Sequence, residues 1–300
     1  MGIYLSKPNT LKDSHSGETE TLRFAVSAMQ GWRMGMEDSH ISLPKLTETV
    51  GLFAVFDGHG GAEVAKFCSK YFPTELLKNE NFKLAKYKEA LEETFLKMDA
   101  MLLGENSNDL LKEFKSDVDN ANSFAGCTAN VVLLTSSEVY VANAGDSRAL
   151  LFTKDAVVVP LSTDHKPDVE TERLRITKAG GYISDGRVND NLNLTRAIGD
   201  LEYKKNPALK PEQQIISAFP DVLVQPLSPM HKFLLIGCDG IWEMLSTKDI
   251  CIQIDSRLTS NPDVKLISVL EELLDKLVAR DTSEGVGCDN MSAVLVHFKH

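Results

Sequence analysis

The sequence predicts an α+β layered domain in which antiparallel sheets are covered by helices. One short link carries much of that reading. Thr128–Thr135 and Glu138–Asn143 are strand-forming runs joined by Ser136-Ser137 alone. So short a link forces an antiparallel hairpin, since a parallel pair needs a long crossover. Amphipathic helical spacing also comes in a pair, between residues 62 and 102, set between blocks of strand. From residue 22 onward no repeat and no linker composition breaks the chain, so 22–300 reads as a single domain.

In chain order, residues 1–21 read as an N-terminal extension, because 7–21 are polar. Leu22, Phe24, Val26 and Ala28 alternate with mostly polar neighbours, the period of a half-buried strand. Val50–Phe56 is a second strand. Val64, Phe67, Cys68, Tyr71 and Phe72 place a helix over Ala62–Lys78, and Tyr87, Leu91, Phe95, Met98 and Leu102 mark another. Gly104–Ser123 is polar with mixed charge, a loop or insertion. After the hairpin, Ser147–Phe152 returns as a strand. Pro167–Gly181 has proline near its start and Gly180-Gly181 at its end, the polarity of a helix. Residues 182–215, rich in Asn, Asp, Gly and Lys, read as a long surface flap. Val222–Val224 and Lys232–Cys238 are strands, Val264–Val278 is a strongly amphipathic helix, and Met291–Phe298 closes the chain as a strand.

Bulk composition narrows the class. A net charge of −11 argues against a nucleic-acid partner, since phosphate backbones recruit basic faces. No apolar run approaches the roughly 18 residues of a membrane span. The first residues lack the cationic flank and apolar core of a signal peptide. Five cysteines form no CxxC spacing; Cys127, Cys238 and Cys251 lie in apolar stretches and read as buried thiols. A reducing compartment, cytosol or nucleus, is expected.

The chemistry sits at strand ends. Phe53–Phe56 runs into Asp57-Gly58-His59-Gly60-Gly61, and Phe233–Cys238 runs into Asp239-Gly240. Asp146 soon follows Val139–Ala142, and Asp289 stands just ahead of Met291. Any single Asp-Gly pair is an ordinary turn signal. Their recurrence at strand ends points to carboxylates gathered on one rim, where they need a cation to coexist. Glu37, Asp38, Asp57, Asp146, Asp239 and Asp289 are the candidates, with no histidine pair or cysteine cluster among them. An all-oxygen set selects Mg²⁺, Mn²⁺ or Ca²⁺ over Zn²⁺ or Cu²⁺. The glycines after Asp57 let the backbone turn tightly, leaving the Gly58 carbonyl able to bind a cation. His59, beside a ligand, is placed to protonate a leaving alkoxide, and Arg33 offers a guanidinium fork for a phosphoryl group.

Taken in order, the motifs Arg33-x-x-x-Glu37-Asp38, Asp57-Gly58-His59-Gly60-Gly61, Gly126-Cys127-Thr128-Ala129 and Gly145-Asp146-Ser147-Arg148 have a known counterpart, as do Thr163–Pro167, Thr195–Asp200, Cys238–Trp242 and Asp289-Asn290-Met291. Together they resemble the metal-dependent protein serine/threonine phosphatases of type 2C, over about residues 22–298. The resemblance implies a four-layer αββα sandwich of two antiparallel sheets flanked by helices, with phosphorylated proteins as substrates. It implies two Mg²⁺ or Mn²⁺ ions, with Asp57 bridging them, Asp239 and Asp289 completing one, and Glu37 and the Gly58 carbonyl serving the other. Asp38 would orient water, a bridging hydroxide would attack phosphorus, Arg33 would hold the phosphate, and His59 would act as general acid. A weaker third ion would use Asp146 and position 243, which is Glu243 here where aspartate is common.

Met1-Gly2-Ile3-Tyr4-Leu5-Ser6 fits the N-myristoylation pattern at Gly2. One acyl chain gives marginal, reversible anchoring, helped here only by Lys7 and Lys12. The expectation is a monomeric cytoplasmic enzyme that visits membranes, with the nucleus as a further location.

Overall fold

The computed structural model describes residues 4–104, 107–114 and 125–299. Two antiparallel sheets share one apolar core. The first, in hydrogen-bonded order, is Tyr4–Glu18, Leu22–Arg33, Met291–Phe298, His231–Gly237, Arg148–Thr153 and Val158–Pro160. The second is Asp221–Pro226, Glu138–Ala144, Ala129–Leu134, Gly51–Phe56 and Ser39–Leu43.

The Gly51–Phe56 strand shows why the layers number four. All six of its residues are buried. Phe53 and Val55 join the core between the sheets, while Leu52, Ala54 and Phe56 face the helices Glu63–Lys78 and Tyr87–Leu103. A strand covered on both faces must be apolar at every position, not alternately. Across the core Phe24 meets Phe53 edge to face, ring centroids 5.7 Å apart. On the opposite flank, Leu266–Leu277 buries Leu266, Val269, Leu270, Leu273, Leu274 and Leu277 against the first sheet, each worth roughly 1.5–3 kcal/mol. Among the described residues no helix is long and apolar enough to cross a membrane.

Several expectations change. Residues 4–18 are no extension: they form a 15-residue edge strand that pairs with Leu22–Arg33 in a register running from Glu18↔Arg23 to Tyr4↔Arg33. An edge strand needs no apolar face, since its backbone groups pair on one side only, so its polar composition concealed it. Arg148–Thr153 returns in the other sheet, not beside Glu138–Ala144. The switch passes through Gly145 at φ +117°, where a Cβ would lie 2.6 Å from Thr128 Cβ. The helix expected over Pro167–Gly181 is confined to Glu170–Lys178. Thr247–Ser260 and Ser39–Leu43 are a helix and a strand that periodicity did not mark. The flap carries its own small core of Val188, Leu194, Ala197 and Ile216 beneath Ile176. Gly2 and most of the 104–123 stretch lie outside the described residues, although Ser107–Lys112 is a short helix.

Candidate metal and phosphate site

Antiparallel pairing brings alternate strand ends to one edge of the sandwich, and the predicted residues occupy that edge. Arg33 ends one strand and Asp57 follows Gly51–Phe56. Asp146 lies in the sheet-switching turn, Asp239 follows His231–Gly237, and Asp289 precedes Met291–Phe298. A cleft of ≈ 460 Å³ opens there, lined by every predicted site residue except Asp38 and Glu243. A larger groove, ≈ 600 Å³, lies at the other strand ends beside Leu22, Leu134 and Phe298. Its charged lining of Glu20, Lys45, Glu48 and Lys299 mixes both signs and builds no carboxylate cluster, so size alone does not locate the chemistry.

Crowded, desolvated carboxylates hold their protons. Burial, then Asp38 and Asp239, raises the Asp57 carboxyl well above its ordinary value. Asp239 is pushed up to about 7 by burial and by Asp146 and Asp289. Asp38, buried beneath the cleft, is pushed up to about 6, chiefly by burial. Burial also raises Glu37. Both Asp38 carboxylate oxygens are buried, and among the described residues neither has a well-aligned hydrogen-bond partner, although Ser292, Cys238 and Asp57 approach them. So costly a cluster fits hard cations, which would offset the repulsion and use oxygen donors. The Cys238 thiol approaches Asp38 and Asp57, but burial and those carboxylates raise its pKa well above its ordinary value. Its sulfur accepts from Ser292 N at 3.1 Å and donates to Asn290 O at 3.4 Å. A protonated thiol is no metal ligand, so the donor set stays oxygen.

The surrounding residues fix this geometry. A Cβ on Gly58 would lie 2.3 Å from the Glu37 carbonyl oxygen, so only glycine lets the two ligand-bearing turns meet. Asn290 clamps the Arg33–Glu37 loop: its Oδ1 accepts from Glu37 N at 2.9 Å, and its Nδ2 donates to Gln30 O at 2.7 Å and Gly35 O at 2.9 Å. Arg33, half exposed, pairs through Nη2 with Asp289 Oδ2 at 2.5 Å. Asp146 pairs with Lys166. Glu243 stands outside the cleft lining, accepting from Gly287 N at 2.7 Å. His59 Nε2 lies 2.7 Å from Asp200 Oδ2; burial works against the imidazolium, but Asp200 prevails and the His59 pKa is raised.

Sequence reasoning gave no roles to Asn290, Lys166 or Asp200. All three sit inside motifs it quoted, but only tertiary contact shows what they touch. The flap contributes Arg187, Asn191 and Asn193 to the cleft wall.

Residues 22–286 match the family model for Protein phosphatase 2C. "Probable protein phosphatase 2C 3" of Paramecium tetraurelia is 50% identical over 301 residues, covering 100% of both chains. "Probable protein phosphatase 2C 21" of Arabidopsis thaliana is 40% identical over 100% of this chain and 93% of its own. A solved phosphatase from Toxoplasma gondii superposes with a TM-score of 0.77 at 26% identity, over 96% of each chain. The chain belongs to the protein phosphatase 2C family of serine/threonine phosphatases.

Proposed function

We propose that this phosphatase is metal-dependent and removes phosphate from phosphoserine and phosphothreonine in proteins, without a phosphoenzyme. The observation that carries this is the convergence of Asp38, Asp57 and Asp239, held above their ordinary pKa by burial and by neighbouring carboxylates, with Glu37 raised by burial beside them. In this reading Asp57, Asp239 and Asp289, with Glu37 and the Gly58 carbonyl, hold two Mg²⁺ or Mn²⁺ ions. When bound, the cations would neutralise the cluster and acidify water near neutral pH.

The protein's own groups do the rest. Asp38 orients the attacking water from below Asp57. Arg33 exchanges Asp289 for two phosphoryl oxygens, since a guanidinium fork matches that geometry. His59 gives its proton to the departing serine or threonine oxygen. A weaker third ion at Asp146 and Glu243 belongs to the reading, and it requires Lys166 to leave Asp146.

The protein is expected to act as a monomer in the cytoplasm, with membrane visits through an acylated Gly2. An unmodified Gly2 in the intact mass of protein from eukaryotic cells would remove the membrane part. The test of the activity is release of phosphate from a phosphothreonine peptide in Mn²⁺, in Mg²⁺ and in EDTA. Cation-dependent release supports the reading, and undiminished release in EDTA overturns it.

A further inference from the structure

We infer that Asp200 is a positioning residue for His59, fixing the imidazole so that Nε2 is held by the protein and Nδ1 faces the leaving group. The inference rests on His59 acting as the acid. Asp200 is fully buried, and among the described residues its side chain makes one hydrogen bond, between Oδ2 and His59 Nε2 at 2.7 Å. Its other oxygen, Oδ1, is buried without a partner. The residue also adopts the left-handed region, φ +50° and ψ +40°, which is uncommon outside glycine. A buried carboxylate with an unpartnered oxygen is costly to the fold, and among the described residues its side-chain bond goes to the cleft histidine.

The backbone is shaped to bring this pair together. Gly58–His59, Gly126–Cys127 and Ile198–Gly199 form a small antiparallel sheet, with His59 opposite Gly126 and Gly126 opposite Gly199. A Cβ on Gly126 would lie 2.6 Å from Asp200 Oδ2 and 2.7 Å from His59 Nε2, so the bare glycine leaves room for their contact. Asp200 N donates to Ala125 O at 3.0 Å and Asp200 O accepts from Tyr203 N at 3.0 Å, which pins the residue from both sides.

His59 lines the cleft, and Nε2 is taken by Asp200. The proton delivered to the leaving oxygen therefore comes from Nδ1. The ring ends neutral, keeping its Nε2–H on Asp200, and recovers the Nδ1 proton from water. Without Asp200 the ring is free to rotate and to exchange tautomers, and the acid is misaimed.

The test compares leaving groups at saturating Mn²⁺. Phenyl phosphate and a phosphoserine peptide need a proton on the leaving oxygen, whereas p-nitrophenyl phosphate releases a stable anion. Asp200→Ala, and Asp200→Asn to preserve shape if alanine fails to fold, should lower kcat/KM for the first two about 100-fold and for p-nitrophenyl phosphate no more than about 3-fold. His59→Gln should show the same split, and the double variant no further loss. Equal loss on all substrates, no loss on any, or full multiplication of the two losses in the double variant overturns the inference. If His59→Gln lacks the split, the acid role itself fails and this inference fails with it. Nitrogen-15 NMR of the metal-free protein gives a readout independent of turnover: the His59 Nε2–H signal should be protected in the wild type and lost in Asp200→Ala, and an unchanged signal refutes the assignment.

Discussion

Replacing Asp38 by asparagine should stabilise the metal-free protein at alkaline pH while abolishing its activity. The side chain is buried, its oxygens have no well-aligned hydrogen-bond partner among the described residues, and burial, outweighing the approach of Ser292, Cys238 and Asp57, raises its pKa from the ordinary 3.8 to about 6. A group whose folded pKa lies above its unfolded value favours folding while protonated. That contribution is complete below about 3.8 and is lost as pH rises through about 6. With each pH unit worth about 1.4 kcal/mol, ionised Asp38 costs the metal-free fold ~3 kcal/mol at pH 8. For a chain of this size that corresponds to several degrees in Tm, on the order of 5–10 °C. The assay is thermal unfolding in EDTA at pH 5 and pH 8, for wild type and Asp38→Asn. Their difference cancels titrating groups remote from the site; Asp57, which Asp38 helps to raise, is relieved by the same substitution and adds to the gain at pH 8. The variant should gain several degrees over wild type at pH 8 and little at pH 5. If the cluster holds cations as proposed, adding Mn²⁺ should raise the wild-type Tm at pH 8, because a ligand that binds only the folded state stabilises it. A variant no more stable than wild type at pH 8 would refute the reasoning.

Three further outcomes follow from named contacts. Arg33→Ala should lower kcat/KM on a phosphopeptide by on the order of 10–100-fold through lost phosphate binding, and leave Mn²⁺ affinity intact in calorimetry. Glu172, buried, accepts from Arg196 Nη2 at 2.7 Å and Arg175 Nη1 at 2.5 Å. Burial alone would raise its carboxyl, but the two arginines bring it down to about 2. Its stabilisation is therefore full above about 4.5 and fades as pH falls through about 2; Glu172→Gln should cost ~3–5 kcal/mol at pH 7 in denaturant unfolding. Gly240→Ala would place a Cβ 2.2 Å from Asn290 O and 3.3 Å from Asp289 Cβ, so Mn²⁺ affinity should fall while far-ultraviolet circular dichroism stays near wild type.

The site was more legible than the layers around it. Asp-Gly after an apolar strand is a local signal, and antiparallel pairing turns several such signals into one rim. The Ser136-Ser137 link fixed one hairpin, and Leu266–Leu277 announced itself through leucines on one face. Tyr4–Glu18 did not, because an edge strand is held by backbone pairing that leaves no trace in side-chain pattern. Thr247–Ser260 buries only Ile250, Cys251, Ile254 and Leu258, too few apolar positions among polar ones to stand out. The sheet change at Gly145 depends on a backbone conformation that one glycine in a sequence does not declare. Asp200 and Lys166 lie far in sequence from the partners they meet, His59 and Asp146. Long-range pairing of charges is a property of the fold.

The central claim is that the strand-end carboxylates hold the cations on which activity depends. Calorimetric titration of Mn²⁺ into metal-free wild type and Asp57→Asn, paired with phosphopeptide turnover of the same samples, tests it most directly. The account predicts two ions bound by wild type, loss of at least one in the variant, and turnover that rises with occupancy. Unchanged Mn²⁺ binding in Asp57→Asn, or turnover that ignores occupancy, would contradict it.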